Sequence, residues 1–313
     1  MSAGPAGTGA GAGEVTTEGA APAPFGRVLQ AAVAAQGPLV AGIDPHAALL
    51  TDWSLPDTAA GAREFSLRVL EAVAGRVAAI KPQSAFFERH GSAGVAVLEE
   101  LLAAARETGV LTILDVKRGD IGSTVDAYAE AFVGKDSPAP ADAITLSPYL
   151  GYESLRPAID LAHATGRGVF VLALTSNPEG ASVQHARGAD GRAVAATMAE
   201  GAARDNAEAR ARSELGSVGL VVGATVGDAV RDLGIDLPAA GGPLLAPGLG
   251  AQGATAADVR RVFDGALDQV LASSSRDVLS AGPDASALRA RARQVAQDVR
   301  EVVDVRAERP EAG

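Results

Sequence analysis

The segment LDVKRGDIGST, residues 114–124, places four charged side chains within six residues, directly after an apolar run. They are Asp115, Lys117, Arg118 and Asp120. One interpretation is a buried strand that has reached water. Alternate residues of a strand point the same way, however, so Asp115 and Lys117 should lie on one face. A carboxylate and an ammonium are costly near a core unless they pair, and a fixed ammonium can donate a proton. The segment is therefore a candidate catalytic charge array.

Asp120 lies past the predicted strand and has a second interpretation as a helix cap. Ser123 followed three residues later by Asp126 is a stronger capping box for the helix that begins here. Asp120 is then available for another role.

The remainder of the chain alternates short β-branched runs with longer alanine-rich stretches of helical spacing. The predicted strands are 38–43, 77–81, 110–116, 143–146, 168–174, 218–224, 243–247 and 268–273, and the predicted helices include 58–75, 91–108, 124–133, 153–166, 190–214, 255–264 and 284–306. The strands lack polar alternation, as expected of parallel strands buried on both faces.

Eight strand–helix repeats predict an α/β fold of the (β/α)₈ TIM-barrel type, a single domain over residues 25–306. The alternative is an open doubly wound sheet. That fold is expected to carry a glycine-rich turn after its first strand, where this chain has GIDPH instead.

Polar residues follow several of these strands. Asp44 follows the first, Lys81 ends the second, Ser147 follows the fourth, and Ser176 and Asn177 follow the fifth. In a TIM barrel the carboxyl ends of all strands open onto one face, so these side chains should converge with the charge array. Individually each has a simpler interpretation, as a helix cap or a solvated loop residue.

The seventh and eighth predicted strands are followed by candidate phosphate ligands. The loop PGLGAQG contributes Pro247, Gly248 and Gln252, and the segment ASSSRD contributes Arg276. Glycines allow backbone N–H groups to approach an anion, and arginine binds phosphate oxygens bidentately. These two loops form the recurrent phosphate site of TIM barrels.

Composition excludes several functional classes. The 313 residues contain no cysteine, which rules out disulfides, thiolate catalysis and cysteine-ligated zinc, and the net charge of −11 disfavours a nucleic-acid surface. No apolar run is long enough to span a membrane, and no secretory signal precedes Arg27, so we expect a cytoplasmic protein. Residues 1–24 are predicted to be a disordered tail, and residues 307–313 a flexible C-terminus.

The chain resembles the orotidine 5′-phosphate decarboxylase family, in the form common in actinobacteria. The resemblance covers residues from about 25 to about 280 and is carried by a set of motifs: LDVKRGDIGST, IDPH, IKPQSAFFE, SPYLG, TSNP and APGLGAQG. The Asp-x-Lys-x-x-Asp pattern alone is less specific, because related magnesium-dependent sugar-phosphate enzymes share it.

The resemblance implies decarboxylation of orotidine 5′-monophosphate to uridine 5′-monophosphate, the last step of pyrimidine nucleotide synthesis, without a cofactor or metal. By motif, the catalytic network comprises Lys81, Asp115, Lys117 and Asp120, with Lys117 protonating C6 of the pyrimidine. The implied substrate contacts are Asp44 for the ribose, Ser147 for the base, and Pro247, Gly248, Gln252 and Arg276 for the phosphate.

The resemblance also implies a homodimer with shared active sites. The residues matching Asp120 and Thr124 reach into the neighbouring subunit's site in this family.

Two alternatives remain open. The first is a magnesium-dependent sugar-phosphate decarboxylase or synthase on the same barrel, although such relatives carry a metal-binding acid where this chain has Lys81. The second is a catalytically silent barrel that binds a nucleotide for regulation, which would not need four alternating charges.

Overall fold

The computed structural model describes residues 21–249 and 253–303. Its centre is a closed barrel of eight parallel strands in sequential order, with β8 pairing β1. The strands are β1 Leu39–Ile43, β2 Ala79–Pro82, β3 Leu111–Arg118, β4 Ala143–Leu146, β5 Gly168–Leu174, β6 Val218–Val222, β7 Leu244–Pro247 and β8 Val270–Ser274. Closure confirms the predicted TIM barrel and excludes the open doubly wound sheet.

Helices surround the barrel and connect its strands. They are α1 Phe25–Gln36, α2 Ala47–Asp52, α3 Ala59–Val73, α4 Ala85–Glu88, α5 Gly91–Thr108, α6 Gly122–Val133, α7 Arg156–Ala164, α8 Ala181–Gln184, α9 Val194–Asp205, α10 Ala207–Ala211, α11 Ala229–Asp232, α12 Leu237–Ala240, α13 Ala256–Val262, α14 Arg276–Leu279 and α15 Ala285–Val303. Short 3₁₀ turns occupy Tyr152–Leu155, Pro178–Gly180 and Leu267–Gln269.

Helix α1, which periodicity did not predict, closes the N-terminal end of the barrel. Its Phe25 and Leu29 are buried against inward-facing strand residues: Val40, Ala79, Ile113, Ala143, Phe170, Val221, Leu245 and Leu271. Phe25 meets Phe170 edge-on, with ring centroids 6.1 Å apart. Gly168 permits this approach, since a Cβ there would lie 2.2 Å from the Phe25 ring. The interior of the barrel at this end is therefore filled by apolar side chains.

The predicted helix 190–214 is divided, because Asn206 interrupts it. This side chain is 1% exposed and donates hydrogen bonds to the carbonyls of Val218 and Ala240. Its Oδ1 also accepts from the Val218 N–H. Asn206 thus fastens the α9–α10 junction to the start of β6, a long-range role that helical periodicity does not reveal.

The predicted capping box of α6 is wrong. The helix begins at Gly122, which has φ +54°, and its N-cap residue is Ile121, which provides no side-chain cap. Ser123 and Asp126 therefore lie inside the helix, where both are exposed.

The predicted terminal segments fall mostly outside the described residues. Residues 21–24 are exposed and irregular, whereas 1–20 and 304–313 are not described. Across the two described ranges, no helix has the length and apolar character needed to cross a membrane.

Candidate active site

Asp115 lies between two ammonium groups at the carboxyl ends of β2 and β3. Its Oδ2 is 3.2 Å from Lys81 Nζ, and its Oδ1 is 2.6 Å from Lys117 Nζ. The side chains of Lys81 and Asp115 are 9% and 10% exposed, whereas that of Lys117 is 45% exposed. The buried pair forms the base of the site, and the Lys117 ammonium extends from it toward the opening.

Burial of the Asp115 carboxyl would by itself raise its pKa. The two ammonium charges oppose this, Lys81 most strongly, and hydrogen bonds from Lys117 and Thr145 add to their effect. The net result is that the pKa of Asp115 lies below its ordinary value. Asp115 is therefore a fixed anion at neutral pH.

The backbone at Lys117 is unusual. Its φ is +46°, a left-handed conformation that is unfavourable for a residue with a side chain. The β3–β4 register also shifts between Leu114 and Arg118, so this part of β3 is irregular. The prediction that Asp115 and Lys117 lie together is confirmed, but the regular strand that it assumed is not observed.

Thr145 on β4 holds this distorted segment. Its hydroxyl accepts a hydrogen bond from the Lys117 N–H at 2.9 Å and donates one to Asp115 Oδ1 at 2.8 Å. Thr145 is 1% exposed, so both hydrogen bonds are shielded from water. One side chain thereby fixes the backbone of the lysine and the carboxylate that pairs with it.

A cavity of about 890 Å³ opens above these residues. Its volume is suited to a nucleotide-sized ligand. Seven residues predicted for the site line this cavity: Asp44, Lys81, Asp115, Lys117, Pro247, Gly248 and Arg276. Ser176 and Asn177, which follow the fifth strand, line it as well. Gln252 lies outside the described residues. The structure thus brings seven of the predicted site residues to a single cavity.

Asp44 reaches the cavity from the end of β1. Its Oδ1 is buried and has no hydrogen-bond partner among the described residues, although such atoms are nearly always satisfied. Gly42 permits close packing beneath it, because a Cβ at Gly42 would lie 1.8 Å from Ser275 Oγ and 3.2 Å from Asp44 Oδ2. The orphaned oxygen is an acceptor available to a ligand hydroxyl.

The far end of the cavity is built by β7, β8 and α14. Gly248 follows β7 with φ +92°, and Arg276 begins α14 directly after the serines that end β8. The neighbouring Asp277 is paired with Arg291 of α15, whose Nε also donates to the Asp277 carbonyl at 3.2 Å. These contacts anchor the N-terminus of α14, and with it Arg276, to a long helix.

Comparison with known proteins agrees with this geometry. Residues 37–291 match the profile of the "Orotidine 5′-phosphate decarboxylase / HUMPS family". The chain belongs to the orotidine 5′-phosphate decarboxylase family. A Streptomyces coelicolor orotidine 5′-phosphate decarboxylase is 57% identical over 281 residues, which are 90% of this chain and 98% of that protein. One from Salinispora arenicola is 58% identical over 276 residues, 88% and 97% of the respective chains.

A solved structure supports the same assignment. The crystal structure of a Streptomyces avermitilis protein described as a putative orotidine 5′-phosphate decarboxylase is 56% identical and superimposes with a TM-score of 0.86. The match covers 92% of this chain and 99% of that one. This member of the orotidine 5′-phosphate decarboxylase family is an enzyme of the carboxy-lyase class.

Three predicted residues of this family member are not among those that line the cavity: Asp120, Thr124 and Ser147. Asp120 Oδ1 accepts a hydrogen bond from the Ile121 N–H at 2.8 Å. Thr124 is exposed on the first turn of α6. Ser147 supports the backbone after β4, donating its N–H to the Arg118 carbonyl at 2.7 Å.

Large apolar side chains are exposed on the same segments of the orotidine 5′-phosphate decarboxylase barrel as these residues. Ile121 is 62% exposed and Tyr149 78% exposed, and both Leu150 and Tyr128 also contact solvent. Ile121 and Tyr128 therefore place exposed apolar area within a few residues of Asp120 and Thr124.

Four further residues line the cavity of this orotidine 5′-phosphate decarboxylase family member: His46, Thr145, Thr175 and Asp277. The sequence placed Thr145 and Thr175 at strand ends on this face without giving them a role, whereas His46 and Asp277 were not considered individually. A usable signal existed for each, because all four lie within a few residues of a strand's carboxyl end. Arg118, at the end of β3, pairs with Glu88, and its Cζ lies over the Tyr128 ring, 5.8 Å from the ring centroid.

Proposed function

We propose that the protein converts orotidine 5′-monophosphate to uridine 5′-monophosphate and carbon dioxide without a cofactor, with Lys117 protonating C6. The observation that carries the proposal is the Lys117 ammonium, held 2.6 Å from a buried carboxylate and directed into a nucleotide-sized cavity. The curated relatives at 57% and 58% identity bear the name of this activity.

The reaction requires stabilisation of a localised charge. When the C6–carboxylate bond breaks, its electron pair stays on C6 in the plane of the ring, where no ring carbonyl can delocalise it. Preorganised positive charge in a water-poor site is the remaining means of stabilisation. The Lys117 ammonium provides that charge and then transfers its proton to C6, leaving a neutral amine.

Asp115 supports this step in two ways. It orients the Lys117 ammonium through the 2.6 Å contact, and its negative charge lies where the substrate carboxylate must approach. Lys81, 3.2 Å away, compensates the carboxylate, so neither buried charge is isolated. With Asp120 supplied by a second subunit, the network contains two acids and two amines.

The substrate's phosphate is assigned to the Gly248–Arg276 end of the cavity. A guanidinium binds phosphate bidentately, and a left-handed glycine brings backbone close to the anion. Because the phosphate is remote from C6, its binding energy can orient the ring over Lys117 and favour closure of the site. Asp44, with its unpartnered oxygen, is assigned to a ribose hydroxyl.

We further propose a homodimer with shared sites. Asp120 and Thr124 lie outside their own cavity, on a surface where Ile121 and Tyr149 expose apolar area that a second subunit would cover. Two-fold symmetric association would bring the same segment of each chain to the other's site.

A metal-assisted reaction on the same barrel is the competing proposal. Here Lys81 places an ammonium 3.2 Å from the Asp115 carboxylate, at the position where magnesium-dependent relatives are expected to carry an acid. An ammonium at that position repels a divalent cation. This favours the metal-independent reaction.

The decisive experiment follows the loss of orotidine 5′-monophosphate absorbance with and without a chelator. We expect full activity with the chelator and loss of activity in Lys117→Ala. Lys135→Ala, which removes an exposed lysine far from the array, is the matched control. Inhibition by the chelator would support the metal-assisted reaction, and near-normal turnover by Lys117→Ala would remove it as the proton donor.

A further inference from the structure

A second cavity, of about 680 Å³, lies between the end of α1, the turn after α3, and α15. Helices α1 and α3 end just before β1 and β2, so this cavity is at the opposite end of the barrel from the candidate active site. It is lined by Gln36, Ala74, Gly75, Arg76, Arg293, Ala296, Gln297 and Arg300. We call it the basal groove.

The basal groove concentrates positive charge without compensation. Arg76, Arg293 and Arg300 all line it, and none forms an ion pair within the described ranges. Elsewhere in the described ranges, arginines such as Arg63, Arg156 and Arg291 pair with carboxylates, and the protein as a whole carries a charge of −11. Three guanidinium groups without an ion pair therefore line one groove and make it locally positive, although the carboxylate of Glu301 lies beside the lining residue Gln297.

The arrangement is rigid on one side. Arg76 Nη1 donates to the carbonyls of Ala72 and Ala74 at 3.4 Å and 2.8 Å, which fixes the guanidinium at the end of α3. The Nε of Arg76 is buried and lacks a hydrogen-bond partner among the described residues. A buried N–H without a hydrogen-bond acceptor lowers the stability of the fold, so this group favours an acceptor from a ligand.

The other side of the basal groove is a single helical face. Arg293, Gln297 and Arg300 are spaced four and three residues apart on α15, so their side chains emerge on the same side. Buried Ala296 contributes a small side chain to the groove's lining. Gln36 at the end of α1 supplies a further amide across the groove.

We propose that the basal groove binds a small anion carrying two or more phosphate groups, through the phosphate chain itself. Planar guanidinium forks match phosphate oxygens bidentately, and the Gln36 amide adds a neutral donor. The Gln297 Nε2 already donates one hydrogen bond to Glu301 at 3.3 Å. The volume exceeds what one phosphate needs and suits a chain of them. The inference does not depend on the function proposed for the first cavity.

The test is calorimetric titration of tripolyphosphate into the full-length protein at physiological ionic strength. Uridine 5′-monophosphate is added at saturation to occupy the phosphate site of the first cavity. We expect one tripolyphosphate to bind per chain. A nucleoside triphosphate should bind with a similar dissociation constant, because the phosphate chain is the part that the groove recognises. Absence of binding at millimolar tripolyphosphate would overturn the proposal, as would binding of the nucleoside triphosphate alone.

Two double variants separate a built site from general electrostatics. The first double variant, Arg293→Gln with Arg300→Gln, removes two exposed arginines of the groove and keeps Arg76, which caps α3. It should weaken tripolyphosphate binding on the order of tenfold per arginine. Arg27→Gln with Arg106→Gln removes equal charge from exposed positions outside the groove and should leave binding nearly unchanged. Equal weakening by both pairs would show bulk attraction and refute the site. Catalytic turnover in both pairs should match the parent protein.

Discussion

The Thr145 hydroxyl donates a hydrogen bond to Asp115 Oδ1 at 2.8 Å while accepting one from the Lys117 N–H at 2.9 Å. The contact links a buried carboxylate to the backbone of the lysine that it orients. Because Thr145 is 1% exposed, water cannot replace either hydrogen bond. Thr145 is therefore a positioning residue of the array.

Thr145→Val should lower kcat on the order of tenfold while leaving KM little changed. Valine preserves the shape but leaves the Lys117 N–H unsatisfied, and a net loss of roughly 1–2 kcal/mol is typical of such a change. Steady-state kinetics with orotidine 5′-monophosphate provides the measurement. Thr145→Ser is the matched control and should restore most of the rate. A valine variant with parental kcat would show that the hydroxyl has no positioning role.

The stability of the fold should depend on the ionisation of Asp115. Its pKa in the folded protein is below the ordinary aspartate value of 3.8, so its ionic contribution is present above that value. The contribution is lost as pH falls through the lower, folded pKa. Asp115→Asn should therefore be less stable than the parent at pH 7, and the difference should shrink below pH 3.8.

Urea unfolding across pH 7 to 3 measures this difference in the free energy of unfolding. Asp126→Asn, at an exposed position of α6, is the control for loss of an aspartate without a buried ion pair. A difference between parent and Asp115→Asn that stays constant with pH would contradict the assignment of a buried anion.

Arg276→Ala should reduce kcat/KM for orotidine 5′-monophosphate by about a hundredfold, since loss of charge-assisted phosphate contacts removes roughly 3 kcal/mol. The fold should be unaffected, as judged by circular dichroism. Orotidine, which lacks the phosphate, should be processed equally by parent and variant. Arg27→Ala, which removes an exposed arginine of α1, should behave as the parent. A similar loss of activity toward orotidine would place Arg276 elsewhere than at the phosphate.

Shared active sites can be tested by mixing two inactive variants. Lys117→Ala and Asp120→Ala homodimers each lack one component in both sites, whereas a hybrid dimer regains one intact site. After complete exchange, activity should recover to about a quarter of the parent value, because half of the dimers are hybrids. Exchange is verified by differentially tagged chains. If the chains exchange and activity does not recover, Asp120 acts in the active site of its own subunit or in neither site.

Much of this architecture follows from local sequence signals. Buried parallel strands leave short apolar runs, and an enzyme on this barrel concentrates its polar residues at the carboxyl ends of those runs. For that reason the sequence alone could place Lys81, Asp115 and Arg276 at one cavity. Each lies immediately beside a predicted strand, so its position depended on topology alone.

Other features depend on contacts that are distant in sequence. Asn206 divides a helix because it hydrogen-bonds to β6, and Thr145 matters because β4 lies beside a distorted β3. The left-handed backbone at Lys117 has no local signal, since nothing about a lysine favours it. Phe25 can fill the N-terminal end of the barrel only because all eight strands close around that end.

Among the described residues, Phe25 and Leu29 block the N-terminal end of the barrel, so its interior opens at the carboxyl end of the strands. Under the proposed reaction, carbon dioxide cannot escape along the barrel axis and must depart through the same entrance as the nucleotide. The gas is released next to Lys117, beneath the bound product. Any segment that closes over the phosphate must therefore leave a passage beside it, or open before the gas can depart. Turnover can then be no faster than the departure of carbon dioxide through this entrance.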